Sequence, residues 1–438
     1  MKKILSLFAA FSLLCLSGCS VSVENLLSPP KLDEEQSAIY EALRLSKGGD
    51  VHLKYPVSGQ YRSAFVVENI DSEETDEAIV FYEASNVTDG GSSLRLNFLD
   101  KQNGEWVSVY DFAALGSEIE RVRFTDLGDG GTSIMVTYSI LNSSDSATSI
   151  FRYADNTPQE VYKSRHSYLN LLDINEDGAE EVFLINQDRT AGTASAYLLG
   201  WAEGDIFTVL SAAPLNEHFS ECRNIVSGPS DDLGYKGIFI DYTRTDGALG
   251  TDILICSDRT FTPSKAIPEQ LIHRTNTYTP SVYSQDIDGD GIIEIPPTSP
   301  FPGYENHVRS EQVNITHWYQ LASAGYSIKQ DFVSYMSIRG DYMLLIPSRW
   351  VGSVTITVSI ADGTAAFSRY DSTTKEIVEE LMVIRALPEA SVERADLTGF
   401  TEMGRSEKTG YCFFIKNNTE SSFALTEAEL KDYFRILG

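Results

Sequence analysis

Five short apolar runs recur along this chain at nearly even intervals, and each is entered through a turn rich in acidic or small polar residues. The runs are Ile79-Val80-Phe81, Ile134-Met135-Val136, Val182-Phe183-Leu184, Ile238-Phe239-Ile240 and Ile293-Glu294-Ile295, and their centres step by 55, 48, 56 and 55 residues. Before each run lies another strand pattern ("SAFVVENI", "ERVRF", "SYLNLLDI", "CRNIVS", "PSVYSQDI"). After it comes a strand–turn–strand pattern, as in "LRLNFLDKQNGEWVSVYDF" and "AYLLGWAEGDIFTVL". Apolar residues alternate with polar ones and turn residues bound each segment, which is the pattern of strands. Four strands per unit at a period near 50 is the signature of a propeller. The expected fold is mainly β: a β-propeller of about five or six four-stranded blades over residues 50–329, followed by a small C-terminal α+β domain over 330–438.

The turns carry the chemistry. The last reads "DIDGDGIIEIP" from Asp286, and the third reads "DINEDGAEEVFLI" from Asp173. "NIDSEETDEAIVFY" from Asn69 keeps the spacing, "DLGDGGTSIMV" from Asp126 is one residue shorter, and "SDDLGYKGIFI" around Asp231 is a faint copy. Ca²⁺ takes six to eight hard oxygens, and alternate residues of a tight turn aim their oxygens inward. An EF-hand would need a glutamate at the twelfth loop position. Those positions hold Pro297 and Leu184, and what leaves each loop is β-type sequence.

On these residues the units resemble the FG-GAP/VCBS repeats of integrin-like β-propellers, in which a "DxDxDGxxE" loop joins the first two strands of a blade. The resemblance covers about residues 50 to 325, and the whole chain is similar to uncharacterised lipoproteins of Gram-positive anaerobes. It implies chelation through loop positions one, three, five, seven and nine. In the last loop these are Asp286, Asp288, Asp290, the carbonyl of Ile292, and Glu294; in the third they are Asp173, Asn175, Asp177, the carbonyl of Ala179, and Glu181. Gly289 and Gly291 permit the backbone angles that such a turn requires. The first loop offers Asn69, Asp71, Glu73 and Glu77 but lacks the glycines, and is expected to hold no metal. Calcium is expected as a structural ion that relieves repulsion between carboxylates.

The N-terminus reads as a processing segment: "MKK", then the apolar "ILSLFAAFSLLCL", then "LSGC". This resembles a bacterial lipoprotein signal, residues 1–18, which implies that Cys19 becomes the mature N-terminus and carries lipid on its thiol. Residues 19–32 read as a tether and 33–49 as a helix with Gly48-Gly49 at its stop. Of the remaining cysteines, Cys222 and Cys256 are candidates to pair across strands or to stay as buried thiols, and Cys412 is left over. The formal charge is −29, and loss of Lys2 and Lys3 with the signal makes it more negative still. That sign argues against nucleic acid as a partner.

The C-terminal part carries "KEIVEELMVIRAL", readable as strand or helix, and a closing helix opened by Thr426 with Glu429 three residues on. Six histidines are scattered without paired spacing, and no nucleophile elbow or P-loop occurs. Tyr304, Trp318, Tyr319 and Trp350 fall in a less regular stretch and are candidates to line a surface. The expected function is a non-enzymatic, lipid-anchored extracytoplasmic protein whose propeller presents a surface to a protein or glycan. The alternatives are a propeller-type polysaccharide hydrolase or lyase, or an envelope assembly factor.

Overall fold

A computed structural model describes residues 32–71, 73–84, 93–154, 157–265, 282–337 and 341–437. The signal, the tether up to residue 31 and Cys19 lie outside the described residues. The chain divides into two compact units, 1–121 with 154–158, and 122–153 with 159–438.

In the first unit a helix, Glu34–Lys47, begins at Asp33. The Asp33 side chain accepts from the Gln36 N–H while the Gln36 side chain accepts from the Asp33 N–H, and Gly48 closes the helix at φ 71°. The helix buries Ile39 and Leu43 against Phe65, Val80 and Tyr82. Those residues belong to a sheet of β1 (His52–Leu53), β2 (Phe65–Glu68), β3 (Glu77–Glu83), β4 (Leu94–Gln102) and β5 (Glu105–Ala113). Strands β1 and β2 both pair with β3, and β4 and β5 follow in chain order.

The second sheet is β6 (Glu118–Thr125), β7 (Ser133–Ser139), β8 (Ser146–Ala154) and β9 (Thr157–His166); the division between the units passes through β6 and near the start of β9. The third is β10 (Tyr168–Leu172), β11 (Glu181–Asp188), β12 (Thr193–Ala202) and β13 (Ile206–Pro214). The fourth is β14 (Phe219–Pro229), β15 (Lys236–Arg244), β16 (Leu249–Ser257) and β17 (Thr260–Pro263). In all three the spatial order of the strands is their chain order, and the third and fourth are antiparallel throughout. The expected apolar runs form the second strand of each. In β11 the first five residues are all buried, and in β15 residues 237–242 are, because neighbouring sheets cover both faces.

The fifth sheet holds β18 (Thr298–Pro300), β19 (Asn314–Ala322), β20 (Ser327–Ser337) and β21 (Tyr342–Leu345), and the sixth holds β22 (Val354–Ser359), β23 (Thr364–Asp371), β24 (Glu376–Pro388), β25 (Thr401–Arg405) and β26 (Tyr411–Asn417). A final strand, β27 (Phe434–Ile436), returns to pair with β21. Within the second unit the sheets pack in sequence. Met135 and Ile150 share a core with Val182 and Leu199, Phe183 and Leu198 with Ile238 and Leu254, Phe239 with Ile295, and Tyr335 with Phe367 and Ile384. The architecture is therefore mainly β, a succession of propeller-type sheets of four or five strands.

The boundary expected at 329/330 falls inside β20. The region beyond it does combine strands with two short helices, Glu389–Val392 and Glu427–Tyr433, but β21 and β27 complete the fifth sheet, and residues 354–417 make a sixth sheet that shares its core. "KEIVEELMVIRAL" is strand β24, and Thr426 and Glu429 do exchange the reciprocal bonds of a capping box. Trp318 and Trp350 are core residues, not surface: their indole N–H groups donate inside the protein, to Ser334 Oγ at 2.8 Å and to the Phe423 carbonyl at 2.7 Å.

Cys222 and Cys256 stay as thiols. Both strands flank β15, but Cys222 lies opposite Tyr242 and Cys256 opposite Lys236. Six residues of strand separate the two positions, roughly 20 Å, far beyond disulfide reach. A buried carboxylate joins the fourth unit to the segment entering the fifth. Asp241 accepts from Thr251 Oγ1, from Asn224 Nδ2, and from both the N–H and the hydroxyl of Ser284.

Candidate metal centre

Four of the five acidic turns deliver one side chain inward where the chain leaves the turn; in the fourth unit that place is Gly237. In the first, third and fifth units it is a glutamate: Glu77, Glu181 and Glu294, all buried. In each case one carboxylate oxygen accepts from the N–H of the second loop residue: Ile70 at 2.7 Å, Ile174 at 3.3 Å and Ile287 at 3.0 Å. In the second unit Ser133 takes the equivalent place at the head of β7, one residue early because the loop is shorter. The repeat is thus preserved in three dimensions down to a single hydrogen bond.

The Asp286 loop is wound by its own carboxylates. Asp286 accepts from Gly289 N–H at 2.7 Å and Gly291 N–H at 3.0 Å, Asp288 from Asp290 N–H, and Asp290 from Ile292 N–H. Gly289 and Gly291 take φ of 85° and 87°, the left-handed region that the sequence reserves for glycine here. The result brings ligand oxygens of Asp286, Asp288 and Glu294 within 4.8 Å of one another. Asp290 is held nearby by Gln320, whose Nε2 donates to Asp290 Oδ2 at 3.0 Å and to Glu294 Oε1 at 2.8 Å. Burial pushes the Glu294 carboxyl up to about 7, against the Gln320 and Ile287 donors, and the Asp288 and Asp290 charges add to the rise. Asp331 is also raised, by burial first and then by Asp288 and Asp290. Among the described residues no lysine or arginine forms an ion pair with Asp286, Asp288, Asp290 or Glu294. Such a donor set, all oxygen and uncompensated, fits a hard divalent cation.

The Asp173 loop has the same winding. Asp173 accepts from the Asp177 and Gly178 N–H groups, and Asp177 from Ala179 N–H. Its electrostatics differ. Arg259, at the turn between β16 and β17 of the next sheet, donates from Nε to Glu181 Oε1 at 3.2 Å and from Nη1 to the Trp201 carbonyl at 2.7 Å. Burial raises Glu181, while the Ile174 N–H and then Arg259 oppose the rise. Asp177 is held below its ordinary range by the Ala179 N–H, by Asn175, and by the Arg259 charge. The structure therefore does not gather Asp173, Asn175, Asp177 and Glu181 into an uncompensated cluster as it does the Asp286 set.

The other turns are also accounted for. Asp129 in the second unit pairs with Arg152 at 2.9 Å. Asp231 in the fourth accepts from Leu233 and Tyr235 N–H groups and from Ala324 N–H in the fifth. In the first unit Asn69 bonds the Glu73 carbonyl through its amide, which turns a candidate ligand into a structural donor. Sequence reading missed Gln320 and Arg259, which lie 26 and 78 residues from their glutamates. One signal was available for Gln320: it sits on the third strand of the unit, one step beyond the Ile295–Tyr319 bridge, directly opposite Glu294.

No family model matches the chain, and no curated protein matches it. Solved structures do. A periplasmic gluconolactonase from Pseudomonas aeruginosa aligns at 10% identity, covering 75% of this chain and 88% of that one, with a TM-score of 0.26. The β-propeller domain of the Trilobed protease from Pyrococcus furiosus aligns at 9% identity, covering 70% and 80%, with a TM-score of 0.25. A hypothetical selenium-binding protein from Sulfolobus tokodaii aligns at 11% identity, covering 45% of this chain and 55% of that one, with a TM-score of 0.25. At such scores the likenesses say nothing about ligands or activity.

Proposed function

We propose that the chain is a lipid-anchored extracytoplasmic binding scaffold, tethered through Cys19, whose last blade turn is pinned by Ca²⁺. The observation that carries this reading is the Asp286 loop: three carboxylate-bearing residues with oxygens within 4.8 Å, one of them fully buried, and no lysine or arginine in an ion pair with them among the described residues. Asp286, Asp288, Asp290 and Glu294 would hold the ion, with the Ile292 carbonyl. Its role is to neutralise the turn and so fix the strand pair it joins. The surface offered by such rigid blades would meet a protein or glycan of the envelope.

The hydrolase reading would start from Ser299 and His317, whose Oγ and Nε2 lie 2.8 Å apart. The Gln330 side chain also hydrogen-bonds the imidazole, and burial lowers His317. A neutral amide in the place of an orienting carboxylate gives no support to an activated nucleophile, so the binding reading is preferred.

Two measurements test it. Cys19→Ser is expected to leave the membrane pellet on fractionation; retention there at mature size would refute the anchor. The purified protein is expected to sediment with isolated cell walls in calcium and to be released by chelator. Failure to sediment in either condition would overturn the scaffold reading, and release of soluble sugar would favour the hydrolase.

A further inference from the structure

The Asp173 loop has the sequence of a calcium loop and an arginine at its buried glutamate, and the fold has been shaped to admit that arginine. Position 200 on β12 lies opposite Glu181, one step beyond the Val182–Leu199 pair. It is glycine, and a Cβ there would stand 2.4 Å from Nη2 of Arg259 and 2.9 Å from Leu210 Cδ1. The missing side chain is thus the passage through which a guanidinium from the next sheet reaches Glu181. At the corresponding place in the fifth unit stands Gln320, in the second Arg152, and in the fourth Ile255, opposite Gly237. The Trp201 carbonyl fixes the far side of the Arg259 guanidinium at 2.7 Å, and Nη2 is buried with no hydrogen-bond partner among the described residues.

We propose that Arg259 is the resident cation of the Asp173 loop and decides its metal specificity: while the guanidinium is in place the loop excludes Ca²⁺, and without it the loop is a calcium site. The positive charge that neutralises Glu181 and acts on Asp177 is covalent and comes from the neighbouring sheet. A divalent ion entering would have to share Glu181 with a positive charge that cannot leave the chain, and that repulsion is what excludes it. The two well-formed loops of the repeat would then do the same structural work with different cations, one drawn from the medium and one built in.

This inference rests on calcium binding by loops of this type, so the experiment keeps the two sites apart. Calcium stoichiometry and calcium-dependent melting are measured on the full chain carrying Asp288→Ala, which disables the Asp286 loop, with and without Arg259→Gln. The expected result is no bound calcium with Arg259 present and one ion per chain once Arg259→Gln is added, lost again on adding Asp177→Ala. Arg259→Gln should melt lower than its parent in chelator and recover in calcium, a rescue that a purely packing role for Arg259 would not show. Arg259→Lys, which keeps the charge, should bind none. Calcium bound at this loop with Arg259 intact, or no gain in folded Arg259→Gln, would overturn the proposal. If the otherwise unsubstituted chain binds no calcium but the Arg259→Gln variant gains one ion, the Asp286 reading falls and this one stands.

Discussion

The Asp286 and Asp173 loops are near copies in sequence and in backbone winding, yet they differ in the charge that faces the buried glutamate. Both aim a glutamate inward and satisfy one of its oxygens with the N–H of the second loop residue. In the fifth unit the buried carboxylate faces a neutral amide, Gln320, and three further acids. In the third it faces Arg259. A shared motif therefore fixes the turn, while residues outside the motif fix its charge. A buried carboxylate must find a countercharge, give up its ionisation or cost stability, and the chain uses different solutions in different blades.

The largest effect that would break this comparison is at Glu181. Its side chain is only 3% exposed and that of Arg259 29%, so Glu181→Ala strands a guanidinium that is largely out of water. The expected loss is about 3 kcal/mol, at the lower end for a broken buried pair because Arg259 keeps some solvent. Denaturant unfolding should give the same loss in calcium and in chelator. Asp288→Ala, measured in chelator, should change stability by no more than about 1 kcal/mol, since Asp288 is exposed and its removal relieves repulsion.

Next in size is calcium itself. Binding to the folded chain alone at about 100 times Kd should add roughly 2.7 kcal/mol. One such increment is expected, seen as a rise in melting temperature, and Asp288→Ala should abolish it. Asp71→Ala and Asp177→Ala should leave it intact. A second increment in the unsubstituted chain would erase the distinction between the two loops.

The sequence displayed one side of this comparison and hid the other. Blade units, the turns and their glycines were legible because they are local: Gly289 and Gly291 have the positive φ that their place in the turn requires. The second strands were legible because two covered faces demand an unbroken apolar run. Arg259 was not, because its partner lies 78 residues away and nothing in "CSDRTFTP" says which blade the side chain enters. The sixth sheet was hidden for a similar reason. Strand β24, Glu376–Pro388, mixes acids with apolar residues at uneven spacing, so only its pairing with β23 and β26 decides it.

A smaller effect tests the passage rather than the charge. Gly200→Ala places a methyl against Arg259 and Leu210. Overpacking of this kind costs about 2 kcal/mol, and the same substitution with Arg259→Gln should cost less, because a shorter side chain leaves the space. A double-mutant cycle by chemical denaturation measures the difference. Strict additivity would mean that Gly200 serves Leu210 alone.

The smallest effect concerns a third answer to the same problem, in the first unit. Glu77 is 1% exposed, its Oε1 has no hydrogen-bond partner among the described residues, and burial pushes its carboxyl up to about 7 in spite of the Ile70 N–H. A carboxyl whose folded pKa lies above its unfolded value holds its proton longer in the folded state. Its contribution is therefore most favourable below about pH 4.5 and is lost as pH rises towards 7, with no further change above. The expected loss is about 1 kcal/mol once relaxation and water access are discounted against the full shift. It should be measured in saturating calcium, so that Glu294 is engaged throughout, as the difference between the stability–pH curves of the parent and of Glu77→Gln. A parent curve that falls between pH 4.5 and 7 while the variant's stays flatter would mark Glu77 as a blade carboxylate left without a cation, neutralised by its own proton. Parallel curves would mean that a countercharge reaches Glu77 after all, and the first loop would then belong with the Asp173 loop rather than apart from both.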